Sequence, residues 1–253
     1  MSRLQWITLP GTILLVFFLI PLIAVFTNLE HVSIFQKLNQ PLVYEALRLS
    51  FTSSLISILL VAVLGTPLSY LLARADFKGK RFLETLVDLP MVLPPAVAGV
   101  ALLMAFGRRG LVGQFFSFNL SFSTAAVILA QIFVAAPFFV RSARNSFKAV
   151  NSDLEKVSLT LGISPWQTFR RITLPLSLSG LLGGAVMSWA RALGEFGATI
   201  MFAGNLQGVS RTLPLAIYTA MERDFQAAML MSGIMIIFSF LVLILVRYIF
   251  KHQ

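Results

Sequence analysis

Two charged residues, Arg191 and Glu195, lie inside a long apolar segment of this 253-residue chain. If that segment crosses a membrane, each charge near its centre costs about 2.5 to 3.5 kcal/mol, so the pair needs a physical reason to be there. The residues are four apart and therefore share one helix face. One interpretation is a self-neutralising pair that only lowers the cost of insertion. The other is a pair facing an aqueous pathway, where the guanidinium attracts an anion and the carboxylate holds it ready or pairs across a subunit interface.

The rest of the chain contains few residues that could act as catalytic groups. It contains no Cys and two His, which excludes thiolate nucleophiles and thiolate metal sites. The carboxylates of Asp88 and Glu195 are far apart in sequence, and no G-x-x-x-x-G-K-[ST] phosphate-binding loop occurs. We therefore expect no catalytic residue, no metal and no cofactor bound by this chain.

Composition indicates which elements position these residues. Hydrophobic residues make up 57% of the chain and charged residues 12%, and the mean hydropathy is +0.86, values typical of an integral membrane protein. A hydrocarbon core about 30 Å thick requires about 20 helical residues. The stretches that meet this requirement are 4–29, 49–73, 83–107, 124–140, 176–203 and 225–246. The sequence predicts an all-α membrane protein, one transmembrane domain over 1–253 with six spans.

The third predicted span contains a proline cluster that includes Pro94 and Pro95, and Asp88 precedes it. Proline removes a backbone donor and clashes with the preceding turn, so this span must be broken or kinked. Such a break survives at membrane depth only against protein or a water-filled cavity. Asp88, Pro94 and Pro95 therefore join Arg191 and Glu195 as candidates for a translocation pathway.

The most polar long segment is 151–175, within a predicted cytoplasmic loop over 141–175. Good N-cap residues begin a first short helix, and Gly162 ends it in a left-handed turn. Ser164 and Pro165 then begin a second short helix, which we expect to end at Thr173–Pro175. The segment is thus a helix, an elbow and a helix, presented to something outside the membrane.

The distribution of the 20 Lys and Arg residues sets the topology. With the loop 141–175 inside, most of them fall on the inner side, as the positive-inside rule requires, and both termini are cytoplasmic. This distribution explains the net charge of +10 through membrane topology and lipid, without nucleic acid.

Glu155, Gly162, Ile172, Leu174 and Pro175 resemble the "EAA" loop of binding-protein-dependent ABC importer permeases. The match is partial, since Lys156 and Val157 stand where that motif has two alanines. In that family the loop forms a coupling helix that docks in a cleft of a separate ATPase subunit. The resemblance implies a type I-like importer permease, with docking residues Glu155, Gly162, Ser164, Pro165, Arg170, Leu174 and Pro175.

Four further stretches, ARALGEFGAT, LPMVLPP, GRRGLVG and RTLPLAIYTAM, resemble the permeases of molybdate importers, which belong with the sulfate and thiosulfate permeases. The resemblance covers the chain from about Leu47 to the end. It implies a permease homodimer in the cell membrane of a bacterium or archaeon, two ATPase subunits that use ATP and Mg, and a periplasmic or lipid-anchored binding protein. The expected cargo is molybdate or tungstate.

Arg108, Arg109 and Arg211 fall in outer loops, where they either dock the binding protein and steer anions or are ordinary loop charges. Two other functions stay open. A sulfate or thiosulfate permease shares the LGEFGA core, and an ion-coupled secondary transporter would use Arg191 and Glu195 as a relay. A membrane-embedded enzyme is disfavoured, because the predicted spans contain no His or Cys.

Overall fold

The computed structural model describes residues 2–29, 34–115 and 120–251, with side chains between Pro10 and Ile244. Every regular element in these ranges is helical. The elements are α1 (Ser2–Leu29), α2 (Ile34–Leu38), α3 (Pro41–Arg74), α4 (Lys80–Val92), α5 (Pro95–Phe106), a 3₁₀ turn (Gly113–Phe115), α6 (Thr124–Ala149), α7 (Ser152–Thr160), α8 (Pro165–Thr168), a π-helical turn (Phe169–Thr173), α9 (Leu174–Leu193), α10 (Gly197–Phe202), α11 (Leu213–Arg223) and α12 (Phe225–Lys251).

Five helical segments in the described ranges are long and apolar enough to cross a membrane, and α4 with α5 makes a sixth if this bent pair is one span. The predicted all-α membrane fold is confirmed. The segment Pro10–Leu29 of α1 is 0% buried within the chain, against 33 to 50% for the other long segments. We therefore place the structural core in the later helices.

The core is a tightly packed bundle of α3, α6 and α9. Small residues let the backbones approach: a Cβ on Gly180 would collide with Ser146, and one on Gly65 would collide with the ring of Phe139. Buried hydroxyls then bridge the helices, as Ser188 Oγ does when it donates to the Ala135 carbonyl at 2.7 Å. Close packing and interhelical hydrogen bonds are the usual means of joining helices in lipid.

The third predicted span, 83–107, is not one helix. The axes of α4 and α5 differ by 117°, and the break lies at Leu93–Pro94, where the proline cluster predicts it. Helix α4 has no fully buried residue, while α5 packs against α10. Because α5 alone is 12 residues long, or about 18 Å at 1.5 Å per residue, it cannot cross the hydrocarbon by itself.

The fifth predicted span, 176–203, is also divided. Helix α9 ends at Leu193, Gly194 and Glu195 leave the helix, and α10 begins at Gly197. The helix end predicted at Thr173–Pro175 is wrong, because α8 continues through the π-helical turn into α9 without a break. Pro175 lacks an N–H, and the wider turn before it accommodates its ring.

The helices around the second and fourth predicted spans are longer than those intervals. Helix α3 begins at Pro41 and ends at Arg74. Helix α6 continues past residue 140 to Ala149, and its Ala143 and Phe147 are buried, so the predicted loop 141–175 starts as the packed end of a core helix.

Candidate functional site

The elbow at Gly162 is built as its residue types predict. Gly162 has φ +79°. Its N–H donates to the Leu159 carbonyl at 3.0 Å, and the Ile163 N–H donates to the Ser158 carbonyl at 3.2 Å. This pair of bonds is a Schellman motif. The hydroxyl of Ser164 accepts a hydrogen bond from the Gln167 N–H at 3.3 Å and caps α8.

A second contact holds the two short helices together. The hydroxyls of Ser158 in α7 and Thr168 in α8 lie 2.9 Å apart and are buried. The elbow is therefore braced on its inner side by a hydrogen bond that the sequence did not reveal. Neither residue belongs to the motif that predicted the loop.

The outer side of the elbow is apolar and exposed. Leu161 is 74% exposed and Trp166 is 67% exposed, and Leu154 and Val157 are also exposed. Single exposed apolar residues are ordinary, but a contiguous set on a polar loop marks an interaction surface. We call these four residues the elbow face.

The predicted docking residues do not all lie on one surface. Gly162, Ser164, Pro165, Arg170 and Pro175 are exposed, and Leu174 is half-buried. Glu155 points inward instead: its Oε1 accepts hydrogen bonds from Arg74 Nη2 at 2.9 Å and from Thr173 Oγ1 at 2.5 Å. Sequence reasoning missed Arg74 and Thr173.

A groove of about 920 Å³ lies beside the elbow, between α3 and α8. Its lining is mostly apolar and includes Pro67, Tyr70, Trp166 and Phe169. The rings of Tyr70 and Phe169 meet edge to face with centroids 4.9 Å apart. Phe169 therefore belongs to the inner packing of the loop, whereas Trp166 belongs to its surface.

Arg191 and Glu195 form the ion pair that their spacing predicts, with Nη2 and Oε2 2.7 Å apart. The Glu195 side chain is only 1% exposed and that of Arg191 is 31% exposed. Glu195 Oε1 also accepts a hydrogen bond from the Ala198 N–H at 2.7 Å, which caps α10. The carboxylate therefore neutralises the arginine and fixes the helix break at once.

The two helix breaks lie against each other. A Cβ on Gly197 would collide with Pro95, so the first residue of α10 touches the first residue of α5. The structure thus brings together Pro95 and the break that holds Glu195, two of the predicted pathway regions. Asp88 is half-buried on α4, and within the described residues it has no hydrogen bond or ion pair.

The predicted outer arginines differ from one another. Arg108 and Arg109 are exposed on a tight loop whose Val112 N–H returns to the Ala105 carbonyl of α5 at 2.8 Å. Arg211 is half-buried and donates to the side chain of Asn205 at 2.8 Å and to the Asn205 carbonyl at 3.1 Å. Arg211 therefore stabilises the conformation of its own loop.

These features define a class of protein: a multi-span membrane protein with two broken helices packed against each other and an exposed apolar elbow beside its helical core. Residues 65–252 match the family described as binding-protein-dependent transport system inner membrane component. The chain belongs to this family.

Several curated relatives cover most of the chain. It is 41% identical over 243 residues to the molybdenum transport system permease protein ModB of Mycobacterium tuberculosis, covering 95% of this chain and 92% of that protein. It is 43% identical over 203 residues to the probable transport system permease protein NifC of Clostridium pasteurianum, covering 79% and 71% of the two chains. The molybdate/tungstate transport system permease protein WtpB of Pyrococcus abyssi is 38% identical, covering 76% of this chain and 75% of that protein.

Solved structures support the fold. A bacterial ABC transporter involved in the import of the acidic polysaccharide alginate matches with a TM-score of 0.75 at 18% identity, covering 98% of this chain and 94% of the other. The MetNI methionine ABC transporter in an inward-facing form matches with a TM-score of 0.59 at 20% identity, covering 81% and 93%. The chain therefore has the fold of ABC importer permeases.

Proposed function

We propose that this chain is the membrane-spanning subunit of an ATP-driven importer for a tetrahedral oxyanion, molybdate or tungstate. The cargo rests on the relatives named for molybdenum, molybdate and tungstate transport, one of which matches over 95% of this chain. The single structural observation that carries the coupling role is the elbow face, where Leu161 and Trp166 are exposed on a loop that is braced from within.

The ATPase partner follows from the shape and chemistry of that face. A projecting helical elbow with apolar side chains fits a groove on a partner, where burial of those side chains supplies the binding free energy. This chain lacks a phosphate-binding loop, so ATP and Mg belong to that partner. We propose two permeases, two ATPases and one oxyanion-binding protein, with both permease termini in the cytoplasm.

The pathway in this proposal passes the joined helix breaks. A dianion cannot enter hydrocarbon, and non-helical backbone at membrane depth is tolerated where it lines protein or water. Arg191 supplies a partly exposed guanidinium there, and the buried Glu195 neutralises it. The site therefore attracts an anion only weakly, and weak binding allows the anion to leave and be transported. Arg108 and Arg109 are exposed, and we propose that they face the outer side and meet the binding protein or the anion.

Uptake into proteoliposomes tests this function. Vesicles would contain this chain with its ATPase and binding protein, labelled molybdate outside, and tungstate or sulfate as competitor. We expect uptake that requires internal ATP, survives a protonophore and is blocked by tungstate but not by excess sulfate. Strong competition and transport of sulfate would assign the chain to the sulfate permeases, and loss of uptake with the protonophore alone would assign it to the ion-coupled transporters.

A further inference from the structure

One polar cluster at the cytoplasmic end of the core joins four elements. Arg74, the last residue of α3, donates through Nη2 to Glu155 Oε1 at 2.9 Å and to the Val150 carbonyl at the end of α6 at 2.9 Å. Thr173, the last residue of the π-helical turn and the one before α9, donates through Oγ1 to the same Glu155 oxygen at 2.5 Å. Glu155 itself belongs to α7.

We infer that Arg74, Glu155 and Thr173 form a coupling node, a set of positioning residues that ties α3 to the movement of the elbow and of α9. The inference rests on the proposed function, since it concerns how an ATPase bound at the elbow face would move the spans. It also assigns to Glu155 an inward role, in place of the direct contact with the ATPase that its motif predicts.

The geometry supports transmission through the node. The side chains of Arg74 and Glu155 are 18% and 13% exposed, and Thr173 is fully buried. The guanidinium donates through both Nε and Nη2 to one carboxylate oxygen, which fixes direction as well as distance. Charge-assisted hydrogen bonds shielded from water resist rearrangement, so α7 and the end of α3 move together.

The other link between these elements is less directional. The ring contact of Tyr70 with Phe169 also joins α3 to the loop, but apolar packing sets distance and allows sliding. Helix α8 is continuous with α9, so α9 follows the elbow through the backbone. The polar node is what adds α3 to that movement.

An ordinary stabilising ion pair is the alternative, and the chain offers a matched control for it. Arg144 and Glu84 pair at 3.0 Å with side-chain exposures of 16% and 24%. They join α6 to α4 without touching the elbow. Glu84→Gln should therefore lower thermal stability and leave the number of ions moved per ATP unchanged.

The first test measures molybdate moved per ATP hydrolysed, together with assembly of the complex. Thr173→Val keeps the shape of the side chain and removes its donor, whereas Thr173→Ser keeps the donor. We expect Thr173→Val and Arg74→Lys to lower ions per ATP about tenfold, within the range typical of coupling between sites, with assembly intact. Thr173→Ser should behave as wild type. An unchanged ratio in Thr173→Val, or an equal fall in Glu84→Gln, would overturn the inference.

A second measurement tests the coupling node independently of which anion is transported. Spin labels at Asn145 on α6 and Thr160 on α7 are exposed, and the chain has no native cysteine to interfere. In the full complex, we expect a narrow distance distribution that Glu155→Ala broadens. No molybdate uptake by wild type would refute the proposed function, whereas an unbroadened distribution in Glu155→Ala would refute the node.

Discussion

The left-handed turn at Gly162 gives the sharpest test of the elbow as a docking element. Gly162 has φ +79°, and a Cβ there would meet no atom within 4 Å. A substitution therefore brings no steric clash, and its whole cost is the backbone conformation. An L-residue in the left-handed region costs roughly 1 to 2 kcal/mol, and a β-branched residue costs more.

This conformational cost lowers the affinity for the ATPase by lowering the population of the folded elbow. If the ATPase binds only the elbow as folded here, Gly162→Ala lowers the competent population, and the apparent Kd rises by the same factor. With 1.4 kcal/mol per tenfold, the apparent Kd rises by up to about 5- to 30-fold for Ala, the full factor applying when the elbow is at most half folded in the free permease, and by more for Val. Asn tolerates the left-handed region, so Gly162→Asn should lie close to wild type.

Gly79 provides the matched control. It has φ +92° and equally open space around a Cβ, but it lies in the loop between α3 and α4. The assay is a titration of the permease in nanodiscs with the labelled ATPase, with thermal unfolding measured in parallel. Gly79→Ala should carry a similar conformational cost without weakening ATPase binding. Wild-type affinity in Gly162→Val, or equal weakening by Gly79→Ala, would refute the docking argument.

Three further predictions concern other parts of the chain. Arg191→Ala leaves the buried Glu195 carboxylate unpaired, so transport should fall and stability should fall by about 3 kcal/mol. The double variant R191M/E195Q should recover thermal stability but not transport. Recovery of transport as well would show that the pair serves only membrane insertion. The hydrogen bond from Lys37 to Asp224, 2.6 Å long, lowers the pKa of Asp224. Stability from this pair is present above the unfolded pKa of about 3.9 and is lost as pH falls through the lower folded pKa, so Asp224→Asn should flatten the acid limb of a thermal-unfolding series, and an unchanged limb would contradict this. A cysteine at Ser164 should resist an impermeant maleimide in intact cells and react after permeabilisation, whereas labelling in intact cells would reverse the topology.

Local features were predictable because their causes are local. A cap at Ser164, a proline at the first helical position and a glycine at the turn describe the elbow without any tertiary information. The proline cluster likewise predicted the break at Leu93–Pro94. In both places the backbone has few alternatives, so residue type determines the conformation.

The division of the fifth predicted span could not be predicted in the same way. Small residues such as Gly194 and Gly197 are typical of close helix packing in a membrane, and apolar residues continue on both sides of them. Helix α9 ends where Gly194 is followed by the Glu195 carboxylate, which accepts a hydrogen bond from the Ala198 N–H in the first turn of α10. A carboxylate shortly before a new helix is a cap signal, but here its pairing with Arg191 concealed it.

The coupling node lies beyond sequence reasoning for a different reason. Arg74 and Glu155 are 81 residues apart, and Arg74 resembled one more basic residue at the inner end of a span. Nothing in the spacing of the "EAA" motif says whether its glutamate points outward or inward. Only the tertiary fold, which brings the ends of α3, α6 and α9 to one place, determines its partner.

Glu195 both pairs with Arg191 and caps α10, and these two roles limit how Arg191 could interact with an anion. An anion that drew Arg191 away would leave a carboxylate at 1% exposure without its cation, and an unpaired buried charge is costly. The cap on α10 cannot compensate, since it is a single bond from a neutral N–H. Arg191 is therefore expected to stay paired while the anion passes, and the anion meets the exposed edge of a guanidinium whose charge is already balanced. In the proposed pathway, such a site would lower the barrier for an oxyanion without retaining it, and discrimination between similar oxyanions would then come from the proposed binding protein.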